Sequence, residues 1–275
     1  ANPKTDKTDK LFASFGKCIN QLNGEYITAE DMGTTVKDME IVRKETDYAT
    51  GISESLGGSG DPSDFTSYGT YVGIKAAVDF KFKQSHLNGL SIAVQGLGNV
   101  GMKLIDYLSK YDMKIYVNDV DDIKVRDCVA KYNTIPCLDS ELYNLDVDIF
   151  SPCAVGAIIN DLTIEHLKCS IVAGAANNIL EDYDKHGQML FNKNILYAPD
   201  YVINSGGLIN IYNELYPNYN RSIIYKKVDK IFDSLIDIFD NSSRLKKPTN
   251  IVSNELASNI INNKKIELNS VEEIQ

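Results

Sequence analysis

The stretch from Leu90 to Asp119 constrains the chain more than any other. An apolar run of strand length, Leu90-Ser91-Ile92-Ala93-Val94-Gln95, leads into Gly96-Leu97-Gly98-Asn99-Val100-Gly101. Leu104, Ile105 and Leu108 then recur at helical spacing, and a second β-rich run, Lys114-Ile115-Tyr116-Val117-Asn118, ends on Asp119. Strand, glycine turn, helix and strand in that order predict a βαβ unit carrying the dinucleotide-binding fingerprint. Gly96 permits the tight turn, Gly98 lets the backbone approach a pyrophosphate, and Gly101 allows close helix–strand packing. The helix opening at Asn99 and Val100 offers N–H groups and a positive dipole end to the phosphates. Asp119 stands where an adenosine ribose donates its hydroxyls. Val120, Asp121 and Asp122 follow with no arginine alongside, so a 2′-phosphate would meet carboxylates and NAD is favoured over NADP.

The rest of the chain predicts an α/β architecture, a Rossmann-like doubly wound parallel sheet with part of a second α/β domain. A helix is expected from Asp9 to Leu22, with Leu11, Phe12, Phe15, Ile19 and Leu22 on one face. Glu25–Thr28 reads as a short strand and Asp38–Lys44 as a short helix. Gly51–Asp64, with its Gly57-Gly58-Ser59-Gly60-Asp61-Pro62 core, reads as a flexible connection and hinge. One long helix follows over Phe65–Lys83, and another over Asp121–Tyr132. Asp148–Phe150, Ser170–Ala173 and Leu196–Ala198 are short strands; Leu208–Tyr216, Tyr225–Phe239 and Ile251–Ile261 are amphipathic helices.

Two of those strands end in small or polar residues, Ser151-Pro152-Cys153-Ala154 and Gly174-Ala175-Ala176-Asn177-Asn178. Ligands of open α/β sheets lie beyond such strand ends. An ordinary turn accounts for these residues equally well.

Composition narrows the function classes. The 275 residues suit one large or two modest domains, and 43% hydrophobic content supports a real core. A net charge of −10 argues against nucleic acid and anionic membranes as partners. No apolar run has transmembrane length and the start of the chain is polar, so a cytoplasmic protein is expected. The five cysteines form no C-x-x-C pair and read as buried thiols; no metal site is expected. His86, His166 and His186 read as surface residues.

Several segments together resemble the glutamate/leucine/phenylalanine/valine dehydrogenase superfamily, its leucine dehydrogenases in particular. They are Gly24-Glu25-Tyr26-Ile27-Thr28-Ala29-Glu30-Asp31-Met32-Gly33-Thr34, Glu45-Thr46-Asp47-Tyr48-Ala49-Thr50-Gly51, Gln95–Gly101, Ser151–Ala154 and Ala198-Pro199-Asp200-Tyr201-Val202-Ile203-Asn204-Ser205-Gly206-Gly207. The resemblance implies reversible, NAD-dependent oxidative deamination of a branched-chain L-amino acid to a 2-oxo acid and ammonia, by a homo-oligomeric enzyme.

It also implies roles. Asp31 resembles the group that shuttles protons at the amino nitrogen; on its own it reads as a turn residue. Thr66, Cys153, Ala154 and Asn178 resemble contacts to the nicotinamide half, and Asn204 a polar contact near substrate or nicotinamide. Ala29, Leu208 and Ile211 resemble the lining of the side-chain pocket, the last two larger than the valines expected there. Two lysines of the family pattern, one holding the substrate carboxylate and one in a Gly-Gly-Gly-Lys motif, have no counterpart in these residues. The expected organisation is a substrate-domain remnant at 1–50, a hinge at 51–64, the NAD-binding domain at 65–247, and a helix at 248–275 returning toward the substrate domain. Slow turnover by this chain alone is the corresponding expectation, and a catalytically inactive NAD-binding module is the alternative.

Overall fold

The computed structural model describes residues 5–31, 33–216 and 219–272. In chain order its elements are α1 (Asp9–Gln21), α2 (Val36–Arg43), α3 (Ser63–Phe82), β1 (Ser91–Gln95), α4 (Asn99–Leu108), β2 (Lys114–Asn118), α5 (Asp122–Tyr132), β3 (Ile135–Pro136), α6 (Asp139–Leu142), β4 (Ile149–Pro152), β5 (Ile171–Val172), α7 (Tyr183–Asn192), β6 (Leu196–Tyr197), α8 (Asp200–Ile203), α9 (Gly206–Glu214), α10 (Arg221–Val228), α11 (Lys230–Leu245) and α12 (Thr249–Glu272). The chain folds into two compact units. The first holds residues 1–69 and 205–229, the second 70–204 and 230–275.

The second unit contains the sheet. Its six strands among the described residues lie in the order β3-β2-β1-β4-β5-β6, every pair parallel. Parallel strands need crossovers that cover both faces of the sheet, and residues 92–95 of β1 and all of β4 are buried. On one face the register aligns Ala93, Phe150, Val172 and Tyr197 across four strands. Ile159, Ile164, Ile179 and Leu190 pack with that row to form one core. On α4, Gly101, Leu104, Ile105 and Leu108 are the buried residues, the helical face expected from their spacing. The chain reverses winding direction between β1 and β4, the topological switch point at which doubly wound sheets bind ligands.

In the first unit α1 and α2 pack closely. A Cβ on Gly16 of α1 would lie 2.8 Å from the carbonyl oxygen of Val42 on α2, so only glycine fits there. Thr35 caps α2 in a reciprocal box with Asp38, and Lys7 pairs with Asp38 at 2.6 Å. Met39, Val42, Ala49 and Ile52 form the core of this unit, with Phe12 against it.

The structure corrects several expectations. The α1 face is covered at Ile19 but not at Leu11, Phe15 or Leu22, which are 52%, 39% and 44% exposed. Glu25–Thr28 makes one parallel bridge, Thr28 to Ala49, rather than a strand. The Tyr225–Phe239 helix breaks at Asp229, whose carboxylate accepts the Tyr68 hydroxyl at 2.6 Å. Residues 51–64 belong to the first unit, and the chain passes between units after residues 69, 204 and 229. α9 and α10 group with the first unit. α12 packs on α7, α11 and β6 of the second unit.

His186 is buried rather than exposed. Its Nδ1 accepts the Asp182 N–H at 2.9 Å and its Nε2 faces Asp161 at 3.1 Å. Closure of the first turn of α7 draws this side chain inward, a local geometry that a lone histidine in sequence does not reveal. Cys128 and Cys169 are buried, but Cys18 is exposed on α1. Among the described residues no helix is long and apolar enough to cross a membrane.

Candidate functional site

In the second unit the glycine loop sits at the C-terminal end of β1. Gly96 has φ +99°, the left-handed region, and its N–H is held by the Asn118 carbonyl at 2.7 Å. A Cβ on Gly101 would come within 2.0 Å of the Gly96 carbonyl oxygen, so α4 reaches the strand only because residue 101 is glycine. Gly98 differs: a Cβ there would meet no protein atom within 4 Å. The space beside Gly98 is open, and Gly98 as N-cap supplies no side chain to the first turn of α4. The N–H groups at Asn99, Val100 and Gly101 therefore open a helix end suited to an anion. Leu97 is buried beneath the loop and anchors it.

Asp119 closes the other side. Its Oδ2 accepts the Leu97 N–H at 2.6 Å and its Oδ1 accepts the Asp121 N–H at 2.9 Å. Each carboxylate oxygen has a further lone pair, so Asp119 holds the glycine loop and retains acceptor capacity for a ribose. Asp121 caps α5 through Ile123 N–H at 3.0 Å. The open glycine loop, the uncapped helix end and this acidic edge fit a dinucleotide whose ribose carries no 2′-phosphate.

Across the switch point, Cys153 N–H donates to the Gln95 carbonyl at 2.7 Å, and a Cβ on Gly96 would lie 2.7 Å from the Ala154 Cβ. Cys153 and Ala154 thus flank the glycine loop directly. Burial pushes the Cys153 thiol up, against hydrogen bonds with Ala175 and Ser151. Asn178 is exposed with φ +52°, a conformation asparagine tolerates. Asn204 Nδ2 donates to Asn177 Oδ1 at 2.6 Å and to the Ala175 carbonyl at 3.3 Å.

One residue here was not anticipated. Asp200 is buried, and its Oδ2 accepts the Ile179 N–H at 3.1 Å while Oδ1 accepts that of Tyr201 at 2.7 Å. It fixes the loop carrying Asn178 from 21 residues away. Its one sequence signal, an acid in the first turn of a short helix, reads as a cap.

In the first unit Asp31 is exposed on the loop before α2. Its backbone is held from both sides by Thr34, whose Oγ1 accepts the Asp31 N–H at 2.8 Å and donates to the Asp31 carbonyl at 2.7 Å. Ala29 is half-buried next to the Thr28–Ala49 bridge. Thr66 lies on α3, and a Cβ on Gly207 would strike its Oγ1 at 2.4 Å, so α9 begins against it. Leu208 is 70% exposed and Ile211 half-buried on α9. Asp31, Ala29, Thr66, Leu208 and Ile211 thus fall in the first unit. Gly96–Gly101, Asp119, Cys153, Ala154, Asn178 and Asn204 fall in the second.

Comparison with known proteins gives the family. The sequence model described as Glutamate/Leucine/Phenylalanine/Valine dehydrogenase matches residues 114–270. The chain is 45% identical over 265 residues to the L-tryptophan dehydrogenase of Nostoc punctiforme, covering 96% of this chain and 74% of that protein. It is 44% identical over 256 residues to the leucine dehydrogenase of Thermoactinomyces intermedius, covering 93% and 69%. The crystal structure of the Nostoc punctiforme enzyme superposes with a TM-score of 0.82 at 43% identity, over 96% of this chain and 75% of that one. The chain belongs to the glutamate/leucine/phenylalanine/valine dehydrogenase family, oxidoreductases acting on the CH–NH2 group of amino acids, with NAD as its cofactor.

Proposed function

We propose that the protein built on this chain carries out NAD-dependent oxidative deamination of a branched-chain aliphatic L-amino acid. Substrate, NAD+ and water give the 2-oxo acid, ammonium, NADH and a proton. The cofactor supplies the acceptor for the hydride that leaves Cα. Gly96–Gly101 and Asp119 bind its adenosine diphosphate portion; Thr66, Cys153, Ala154, Asn178 and Asn204 orient its nicotinamide half. Asp31 takes the proton from the substrate ammonium, which frees the nitrogen lone pair as the hydride departs, and after water has added to the imine and lost its proton to solvent, Asp31 returns its proton to the nitrogen, which leaves as ammonia. The observation that most supports this reading is an exposed carboxylate on a loop fixed by Thr34, within a chain 44% identical to leucine dehydrogenase.

The side-chain preference rests on Ala29, Leu208 and Ile211, which offer small and aliphatic surface and no charge. Leu208, at 70% exposure, is not held in the core of its unit and has surface to give a ligand. The relative named for tryptophan is as similar as those named for leucine, so aromatic amino acids are the competing substrates. A panel of kcat/KM values for L-leucine, L-valine, L-isoleucine, L-phenylalanine and L-tryptophan tests the preference. The branched aliphatic substrates are expected to lead by about tenfold, the scale of one or two methylene contacts. A lead for tryptophan overturns it. Leu208→Ala should narrow any such lead by enlarging the pocket.

A further inference from the structure

We propose that Glu214 is a positioning residue that fixes the helix bearing the side-chain pocket relative to the segment bearing Asp31. The inference rests on the reading of Asp31, Leu208 and Ile211 given above, and it concerns the first unit alone.

Glu214 ends α9, the helix that carries Leu208 and Ile211. Residues three or four apart share a helix face, so Glu214 neighbours both Ile211 and Asn210. Its carboxylate collects donors from a segment about 160 residues earlier. Gly51 N–H donates to Oε1 at 3.0 Å and reaches Oε2 at 3.2 Å. Ser59 donates to Oε2 twice, from its N–H at 3.1 Å and from its hydroxyl at 2.5 Å. Asn210 Nδ2 donates to the same Ser59 Oγ at 2.7 Å, and the Tyr219 hydroxyl donates to Asn210 Oδ1 at 2.6 Å. Ser59 is 1% exposed and Asn210 fully buried. A glycine- and serine-rich loop that composition marks as flexible is thus tied to α9 by a satisfied polar network.

From Gly51 the path to Asp31 is short. Gly51 has φ +75°, and a Cβ there would lie 3.2 Å from both the backbone nitrogen and the Cβ of Glu30. Gly51 therefore packs directly on the residue before Asp31. Thr50 N–H donates to the Thr28 carbonyl at 2.9 Å, which pins the same strip from its other end. Displacement of Gly51 moves Glu30, and with it the acid. Three different donors converge on one carboxylate, and each needs an acceptor. Glutamine in that place keeps the shape but turns an amide NH2 either toward the Gly51 N–H at the Oε1 position or toward the Ser59 donors at the Oε2 position, so donor faces donor.

The test is hydrogen exchange followed by mass spectrometry on the whole protein, for wild type, Glu214→Gln and Ser59→Ala, alongside steady-state kinetics and NAD titration. In Glu214→Gln, exchange should rise at least tenfold in peptides covering 24–31 as well as 50–60. Peptides covering 90–101 and the Kd for NAD should stay within twofold of wild type. The kcat for amino-acid oxidation should fall at least tenfold while KM for NAD is unchanged. Ser59→Ala, which removes one donor and keeps the carboxylate, should show the same pattern more weakly. Faster exchange confined to 50–60, or an unchanged kcat, overturns the proposal; so does faster exchange everywhere, which is what a merely structural carboxylate gives. If wild type oxidises no amino acid, the functional reading fails, whereas the exchange at 24–31 still decides whether Glu214 governs the Asp31 segment.

Discussion

The Asp119 carboxylate accepts the backbone N–H of Leu97 at 2.6 Å, joining the end of β2 to the glycine loop after β1. One residue thus ties the glycine loop to the next strand and, under the proposed function, offers an acceptor to the ribose. Asp119→Ala removes a charge-assisted hydrogen bond of about 1.5–3 kcal/mol and, through the loop, the fit of the pyrophosphate. Calorimetric titration should show NAD binding weakened by roughly 10- to 100-fold, with NADP affected less. Equal weakening of both cofactors would argue that Asp119 acts on the loop alone.

Two glycines of the same loop should respond oppositely. Gly98→Ala places a methyl where the protein has no atom within 4 Å, at φ −74°, which alanine adopts freely. The variant should melt within about a degree of wild type yet lose NAD affinity by tenfold or more, because the methyl fills the space for the phosphates. Gly101→Ala drives a methyl to 2.0 Å from the Gly96 carbonyl oxygen. It should destabilise the fold by about 1–3 kcal/mol, the usual cost of overpacking. Thermal melts and NAD titrations on the two variants separate the roles.

Acid should loosen α1 from α2 before it unfolds the sheet. Burial pushes the Asp38 carboxyl up, but the Lys7 ammonium and the Thr35 hydroxyl and N–H outweigh it and hold the group below the usual carboxylate range. A carboxyl depressed in the folded state adds stability that is complete above its unfolded pKa and is lost as pH falls through its folded value. The contribution is present at neutral pH and disappears in strong acid. Asp38→Asn should remove it, lowering stability at pH 7 by about 1 kcal/mol, the scale of a helix cap, and by little in strong acid. Urea midpoints at the two pH values read the difference.

The sheet was legible because its physics is local. A parallel strand buried on both faces needs an apolar run, and β1, β2 and β4 each have one. The fingerprint needs glycine at 96 and 101 for reasons that a single turn contains. The first unit was less legible. Leu11 and Phe15 have helical spacing yet are exposed, and Glu25–Thr28 has strand composition yet forms one bridge, because tertiary partners rather than periodicity decide coverage. Loop 51–60 has the composition of a linker, and what orders it is Glu214, far away in sequence. His186 and Asp200 were missed for the same reason, since a buried polar group is defined by partners that spacing does not show.

The proposed function requires Asp31 to perform the proton transfers of an NAD-dependent amino-acid oxidation. The most direct measurement is NADH formation at alkaline pH from NAD and L-leucine, L-valine, L-isoleucine, L-phenylalanine or L-tryptophan, with wild type and Asp31→Asn side by side. Wild type should form NADH from a branched-chain substrate, and the variant should show a fall in kcat of roughly 10²- to 10⁴-fold with an unchanged Kd for NAD. Equal rates in both proteins, or NAD binding without NADH from any of these amino acids, would contradict it.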